Sequence, residues 1–422
     1  MSDLDVVVIG AGAAGLAAAR ALVGQGRRVA VLEASGRIGG RAWTAHPPEL
    51  DGAWFDMGAI WLHAAERNPL VPLAREAGET LLDAAEIRCK RTFIGTRPAT
   101  EAECADYDDA WRRFEEAADR LLAESSDTSL ASVARTLPND PWAPTIEAWE
   151  GPVICAVDAD RYSLRDWRAN ALWGANLVPE GGIGAFIARR LGAGLDIRLD
   201  TPATGIDWSG AGGVRIETPR GTMRAGACIV TASTGVLASG AIRFTPGLPV
   251  RTREAIDALP MGLAVKIVLR ATTPDRLDLP RHCLLDHRVE RAGEPFMIFQ
   301  CWPHGRDYVQ GWIGGSPAWD LARQGDAAIA DFAVAELRRM AGGRAEKLFH
   351  GGARLATHWD ADPWARGAYA YVPPGQAGAR AALAEPLGDG RLAFAGEACH
   401  DGLAGTVGGA WLSGEEAARK VG

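Results

Sequence analysis

The 422-residue chain predicts a two-domain α/β protein: a Rossmann-like dinucleotide-binding domain and a second domain with a mixed sheet covered by helices. Three observations carry this prediction. Residues 5 to 33 read as strand, glycine turn, helix, strand, which is a βαβ unit. Short strands alternate with Gly-rich turns over about 195–245 and again over 284–315. A final strand runs straight into a closing helix. The chain exceeds the roughly 100–200 residues of one domain, and no low-complexity linker separates the blocks. The two domains are therefore expected to interrupt each other in sequence. The first takes residues 1–82, 179–250 and 386–422, and the second 83–178 and 251–385.

Taken in order, LDVVVIG is a buried strand, AAGLAAARALVG a small-residue helix and RRVAVLE a second strand. Residues 106–123 form an amphipathic helix with Trp111, Phe114, Ala118 and Leu121 on one face; SSDTS breaks it. DIRLDTPATGIDW, GVRIETPRGTM and ACIVTAS read as short strands. MGLAVKIVL, residues 261–269, is a strand with a charge in its middle. Strand side chains alternate, so Leu263, Val265, Ile267 and Leu269 form a core face. Gly262, Ala264, Lys266 and Val268 form the other, which leaves room beside Lys266 for something flat. A buried ammonium is costly without a partner; the plainer expectation from this strand alone is a lysine reaching solvent at a strand end. PFMIFQCW and YVQGWIGG are further strands. A helix over 326–340 aligns Ile329, Phe332, Ala333, Leu337 and Met340, with Gly342 and Gly343 as caps. RLAFAG and a helix over 406–420 close the fold.

Composition narrows the function. The chain is 47% hydrophobic and 23% charged, with a net charge of −8 and no basic stripe, which speaks against nucleic acid or an anionic membrane as partner. No run approaches the length of a membrane helix. Seven cysteines lack any CxxC pair, and the histidines lack metal-ligand spacing, so a reduced, cytoplasmic protein without a metal is expected. No feature addresses oligomeric state.

GAGAAG places Gly10, Gly12 and Gly15 at GxGxxG spacing between a strand and a helix, with Ala13 and Ala14 opening the helix. Such a turn brings backbone N–H groups and a helix N-terminus to a pyrophosphate. Glu33, at the end of the second strand, can accept hydrogen bonds from a ribose diol. EASGRIGGRAWT follows at once. There Ala34, Arg37, Gly39, Gly40 and Arg41 suit a second approach to the same phosphates. Near the C-terminus Gly396 and Glu397 end a strand, and Gly405 to Ala410 open a helix whose N-terminal dipole stabilises negative charge.

With these blocks in hand, the sequence resembles the flavin-containing amine oxidase superfamily of monoamine oxidases, polyamine oxidases and histone lysine demethylases. The resemblance covers essentially the whole chain, through GAGAAGLAAA with Glu33, GRIGGRAWT, DMGAIWLH with ERNPL, MGLAVKIVL, and WDADPWARGAYAYVPPG leading into FAGE and GTVGGAWLSG. It implies FAD as cofactor. Gly10, Gly12, Gly15, Glu33, Arg37 and Arg41 would hold its ADP part. Ala203 would bind adenine through backbone. Gly58, Ala59 and Ile60 would run beside the flavin, and Glu397, Thr406 and Val407 would contact the ribityl chain and ring. Lys266 matches the lysine that holds a water against the flavin. Trp359 would stand near both, Tyr369 would face the substrate, and His63 matches a histidine at the polyamine oxidase cavity.

Departures refine the expectation. Monoamine oxidases bond the flavin to a cysteine; here that position is Ala368, so FAD should be non-covalent. One of their two cage tyrosines is matched by Tyr369, but the other position is Thr406, which leaves a role open for another ring such as Trp411. The usual histidine of the GTV block is Gly408. No module typical of histone demethylases is recognisable. Trp364 is a weaker candidate than Trp359, Cys399 and His400 are expected to be a coincidental pair, and Asp286, Glu290 and Glu66 are candidates for a distal ammonium. The implied reaction is oxidation of a small-molecule amine, primary or secondary and including polyamines, to an imine that water converts to an aldehyde. Oxygen would reoxidise the flavin and give hydrogen peroxide. The alternatives on the same fold are an L-amino-acid oxidase, for which Arg88 or Arg91 would have to hold the carboxylate, a desaturase-type oxidoreductase, and a non-catalytic flavoprotein interaction module.

Overall fold

The computed structural model describes residues 4–124, 127–210 and 212–421. Two large sheets organise it. In the first, Ile197–Arg198, Val29–Leu32, Leu4–Ile9, the C-terminal half of Gly221–Val230 and Leu392–Phe394 lie parallel in that order. The long strand Gly221–Val230 forks: its N-terminal half pairs antiparallel with Val214–Thr218, which continues to Gly205–Asp207 and Arg243–Thr245. Val6, Val8 and Val31 face the helix Ala13–Gly24, while Val7, Ile9 and Leu32 face the opposite core, so the central strands are buried on both sides, as parallel strands are. The closing helix Val407–Lys420 crosses the first helix at very short range. A Cβ on Gly414 would lie 2.0 Å from the Ala14 carbonyl oxygen.

The second sheet runs Arg354–Ala356, Ala264–Arg270, Tyr308–Gly314, Ile298–Cys301, Cys283–His287, Cys89–Ile94 and Arg97–Pro98. It is antiparallel apart from the pairing of Cys283–His287 with Cys89–Ile94. Leu263, Val265, Ile267 and Leu269 pack against the helices Asp326–Ala341 and Gly343–Phe349. Their alternation leaves Ala264 and Lys266 on the other face, where they line a cavity.

Several local expectations change. The helix expected over 106–123 runs Glu101–Glu124, and its fully buried face is Tyr107, Ala110, Phe114, Ala117 and Ala118, with Trp111 and Leu121 only partly covered. Its start is a reciprocal cap: Glu103 N–H donates to Thr100 Oγ1 at 3.3 Å, and Thr100 N–H donates to Glu103 at 2.8 Å. Of the expected SSDTS break, Ser125 and Ser126 lie outside the described residues. Phe332 is only partly buried. Gly342 ends its helix with φ 70°, but Gly343 starts a new one. Ala203 precedes its strand, which begins at Gly205. A π-helical turn, Trp149–Cys155, extends the helix Ala143–Ala148 with Pro152 inside it.

Candidate active site

The first glycine turn is compact because nothing else fits. Gly10 has φ +102°, and a Cβ there would meet Thr231 Oγ1 at 2.5 Å. A Cβ on Gly15 would lie 1.9 Å from the Gly10 carbonyl oxygen, so helix and strand can close up only with glycine at both positions. Gly12 instead faces open space, with no atom nearer than 4.0 Å to an added Cβ. The second glycine segment docks on the first: Gly39 N–H donates to the Ala11 carbonyl at 2.9 Å, and Gly39 bridges Gly12. Glu33 orders the turn, accepting from Ala11 N–H at 2.7 Å and from the Ser35 N–H and hydroxyl at 2.8 Å. Arg37 donates to the Gly40 carbonyl at 2.6 Å and lies over the Trp43 ring at 4.3 Å. Arg41 donates to the Ala368 carbonyl at 2.7 Å and pairs with Glu397 at 2.9 Å.

These elements wall one end of a cavity of about 570 Å³. Every residue singled out above for cofactor or catalysis lines it except Gly15, which lies beneath the turn. The residues fit a dinucleotide: a helix N-terminus behind two glycine segments, two guanidinium groups and an acid at the strand end. Glu397 adds an independent sign. Its Oε1 accepts from Ala370 N–H at 3.0 Å, whereas its buried Oε2 has no partner among the described residues, as expected of an oxygen kept for a ligand hydroxyl.

Lys266 stands on the cavity face of the second sheet. Its backbone N–H donates to Thr357 Oγ1 at 2.9 Å. Its Nζ donates to the Asp56 carbonyl at 2.9 Å and also to the Gly58 carbonyl, which leaves one N–H free for the cavity. Burial pushes the ammonium down, opposed by Asp56, and pushes the Asp56 carboxyl up, opposed by Thr44, Lys266 and backbone N–H donors. Gly58 admits no side chain: a Cβ would lie 1.7 Å from the Arg41 carbonyl oxygen and 3.1 Å from Trp359. Trp359 is buried against it and donates to the Met57 carbonyl at 3.3 Å.

The other end of the cavity is aromatic. Tyr369 donates its hydroxyl to the Ile154 carbonyl at 2.8 Å, which fixes the ring against Gly405. Trp61, Trp149, Trp167, Trp173 and Trp312 also line the wall. His63 contacts Asn176 Oδ1 through Nδ1 at 2.9 Å; burial, helped by Arg88 and opposed by that hydrogen bond, pushes its pKa down. The exposed cavity residues Ile154, Trp173 and Trp364 form the rim.

A profile of the family described as flavin containing amine oxidoreductase matches residues 13–422. The chain belongs to that family. It is an oxidoreductase and a flavoprotein, and the dinucleotide cradle identifies the flavin as FAD. Polyamine oxidase 4 of Oryza sativa subsp. japonica is 29% identical, over 99% of this chain and 88% of the relative. Probable polyamine oxidase 4 of Arabidopsis thaliana is also 29% identical, over 98% of this chain and 86% of the relative. Lysine-specific histone demethylase 2 of Homo sapiens is 28% identical, and the chain spans only 53% of its length. A putrescine oxidase solved with bound putrescine shares the fold: TM-score 0.79, 21% identity, covering 99% of this chain and 98% of the other.

Within this family frame some expectations need correcting. Trp411 does not complete an aromatic cage: it lies in the core beneath the first sheet and donates to Glu415 at 2.8 Å. Thr406 caps the helix, and five residues on, at about 100° per residue, the side chain points well away from it. Asp286, Glu290 and Glu66 do not line the cavity. Asp286 is buried beside Tyr107, Trp149 and Lys90, Glu290 pairs with Arg288, and Glu66 caps Ala175 N–H. Arg91 is exposed and off the cavity; Cys399, which is buried, and His400, which is partly buried, lie off it too. The space beside Gly408 is filled by Asn68, whose amide lies 2.9 Å from where a Cβ would stand.

The sequence reading missed Glu150. It lies on the π-helical turn, lines the cavity, accepts from Trp167 Nε1 at 2.8 Å, and burial pushes its carboxyl up to about 7. Glu115 lines the same wall and is also raised by burial. Only the clustering of Trp149, Glu150 and Pro152 in the sequence hinted at an irregular wall there.

Proposed function

We propose that the protein oxidises a small-molecule amine to an imine, which water converts to an aldehyde and ammonia or a smaller amine, and that oxygen takes the electrons and yields hydrogen peroxide. When bound, FAD supplies the two-electron acceptor for the hydride leaving the amine α-carbon. The observation that carries this reading is the single cavity that joins the glycine cradle to an aromatic chamber, with Lys266 at the junction. The two glycine segments, Glu33, Arg37 and Arg41 would hold the ADP part, with Ala203 near the adenine. Gly58, Ala59, Ile60, Glu397, Thr406 and Val407 would hold the ribityl chain and ring. No cysteine stands at Ala368, which supports non-covalent binding. The segments 1–82, 179–250 and 386–422 would form the FAD domain, a reading supported by the first sheet drawing all its strands from them.

The chamber side chains then have defined work. Tyr369, Trp149 and Trp167 exclude water and orient the amine. An ammonium stripped of water loses its proton more readily, and Glu150, held near neutrality, accepts a hydrogen bond or a proton from it. Lys266 keeps one N–H directed at a water or substrate atom beside the ring. The testing experiment is anaerobic bleaching of the visible flavin band by spermidine, putrescine, benzylamine, tyramine and L-amino acids, followed by readmission of air. Bleaching by an amine, with peroxide on reoxidation, is the expected result. A yellow holoenzyme that no amine bleaches sinks the reading.

A further inference from the structure

One charge on the cavity wall has no task in the reaction above. Arg88 follows the short helix Ala84–Ile87 and lines the chamber close enough to His63 to lower its pKa. Its guanidinium lies over the Trp61 ring, 5.7 Å from the centroid. Among the described residues no hydrogen bond or ion pair reaches that guanidinium. The other three arginines on the cavity are all engaged: Arg37 by the Gly40 carbonyl, Arg41 by Glu397 and Ala368, Arg380 by Asp166. Glu150 and Glu115 share the cavity but do not pair with Arg88. Burial alone acts on the Arg88 guanidinium, lowering its pKa with no carboxylate to offset it. The guanidinium is only partly buried and its nitrogens stay accessible from the cavity, so what it lacks is a counter-charge, and stacking on one indole is a weak substitute for one. A fully cationic polyamine would add repulsion at this wall.

We propose that Arg88 is an anion-binding residue of the substrate chamber, and that the amine oxidised here also carries a carboxylate; the second part rests on the amine-oxidation reading above. The guanidinium fork matches a carboxylate in a bidentate pair, and the indoles around it favour an apolar body behind that group. The position of Arg88 says more. Trp61 meets Trp312 edge-on at 5.7 Å, and Trp312 is the ladder partner of Lys266. A chain of contacts, guanidinium to Trp61 to Trp312, thus leads from Arg88 to the strand position opposite Lys266 rather than to Lys266 directly. The carboxylate is set off from the oxidised carbon by a spacer, not attached to it as in an α-amino acid.

The test uses the flavin-loaded enzyme and two unreactive probes of one shape, 4-methylbenzoate and 4-methylbenzamide. Binding is read by perturbation of the flavin spectrum and by calorimetry. The acid is expected to bind at least tenfold more tightly than the amide. That preference should vanish in Arg88→Met and persist in part in Arg88→Lys. Equal binding of the two probes by the unmodified enzyme overturns the anion site even if neither variant holds flavin, and so does a preference that survives Arg88→Met. Turnover separates the two readings. If amines bleach the flavin but 4-(aminomethyl)benzoate is no better than benzylamine, the carboxylate assignment fails and the oxidase reading stands. If the acid is preferred but no amine bleaches the flavin, the oxidase reading fails and the anion site stands.

Discussion

At one end of the cavity the wall is mostly backbone: two glycine segments, a helix N-terminus and the chain around Gly58. At the other it is mostly side chain: Tyr369, five indoles, Arg88, His63 and Glu150. The cofactor end comes from a few short stretches, each of which must approach another main chain closely. The substrate end gathers single residues from segments spread between Trp61 and Tyr369. The backbone wall tolerates no added atom at Gly10, Gly15 or Gly58, whereas a side-chain wall can be retuned one residue at a time. A shared cofactor and a private substrate call for that division.

The sharpest way to break the comparison is to add one methyl group at the backbone end. Gly15→Ala would put a Cβ 1.9 Å from the Gly10 carbonyl oxygen, and Gly58→Ala one 1.7 Å from that of Arg41. Neither neighbour is a flexible side-chain tip, so the strand–helix turn or the Arg41 segment must move. Both variants are expected to purify with little or no flavin, measured as the ratio of visible to ultraviolet absorbance. Gly24→Ala, at the end of the first helix with nothing within 4 Å of the new Cβ, is the control. It should keep its flavin and gain about 0.5–1 kcal/mol in stability. Full flavin content in Gly15→Ala would contradict the close packing described for the turn.

The same division decides what could be read from the sequence. Gly10, Gly12 and Gly15 stand at fixed spacing because the backbone geometry demands it, and the strand around Lys266 shows its two faces because strand side chains alternate. Both were legible from a few consecutive residues. Glu150 was not: Pro152 inside WEGPVIC argues against a helix, and the π-helical turn that aims Glu150 at the cavity follows no simple period. Arg88 could be named only as one of two arginines; that it is unpaired depends on what the rest of the fold places around it. Asp286 shows the converse, a carboxylate that looked available and is occupied by Trp149, Tyr107 and Lys90. The missed start of the helix at Glu101 was readable, since Thr100 and Glu103 have capping-box spacing.

A second test asks how firmly the two ends are tied. Arg380 and Asp166, both almost fully buried, form a double hydrogen bond at 2.8 and 2.9 Å. Arg380 also donates to the Ala370 and Ala398 carbonyls, at 3.3 and 3.4 Å. The pair thus clamps the helix Leu164–Ala169 of the substrate side to the segments carrying Tyr369 and Glu397. Arg380→Met leaves Asp166 charged and buried, and should cost about 3–5 kcal/mol in urea unfolding of the flavin-loaded protein. The double variant Arg380→Met/Asp166→Leu should recover much of that loss, since removing both charges also removes both desolvation costs. Equal destabilisation of single and double variants would show that the carbonyl contacts, not the ion pair, hold the clamp.

The smallest effect concerns pH, and it belongs to the substrate end. Burial raises the carboxyls of Glu147 and Glu150 from an ordinary 4.5 to about 7. Between those values the folded protein keeps protons that the unfolded chain has released. The contribution of these two groups to stability therefore falls as pH rises from about 4.5 to 7 and levels off above, because they bind more protons in the folded state across that window. Glu147 is 7% exposed and does not line the cavity, so Glu147→Gln isolates the effect from substrate binding. The neutral amide should flatten the decline, leaving the variant about 1–3 kcal/mol more stable relative to the unmodified protein at pH 8 than at pH 4.5. Glu150→Gln should flatten it less, because the cavity lets water reach that carboxyl, and should also weaken amine binding. Parallel stability–pH curves for Glu147→Gln and the unmodified protein would mean that the Glu147 carboxyl is already ionised in the fold, stabilised by Arg135, whose charge opposes the effect of burial.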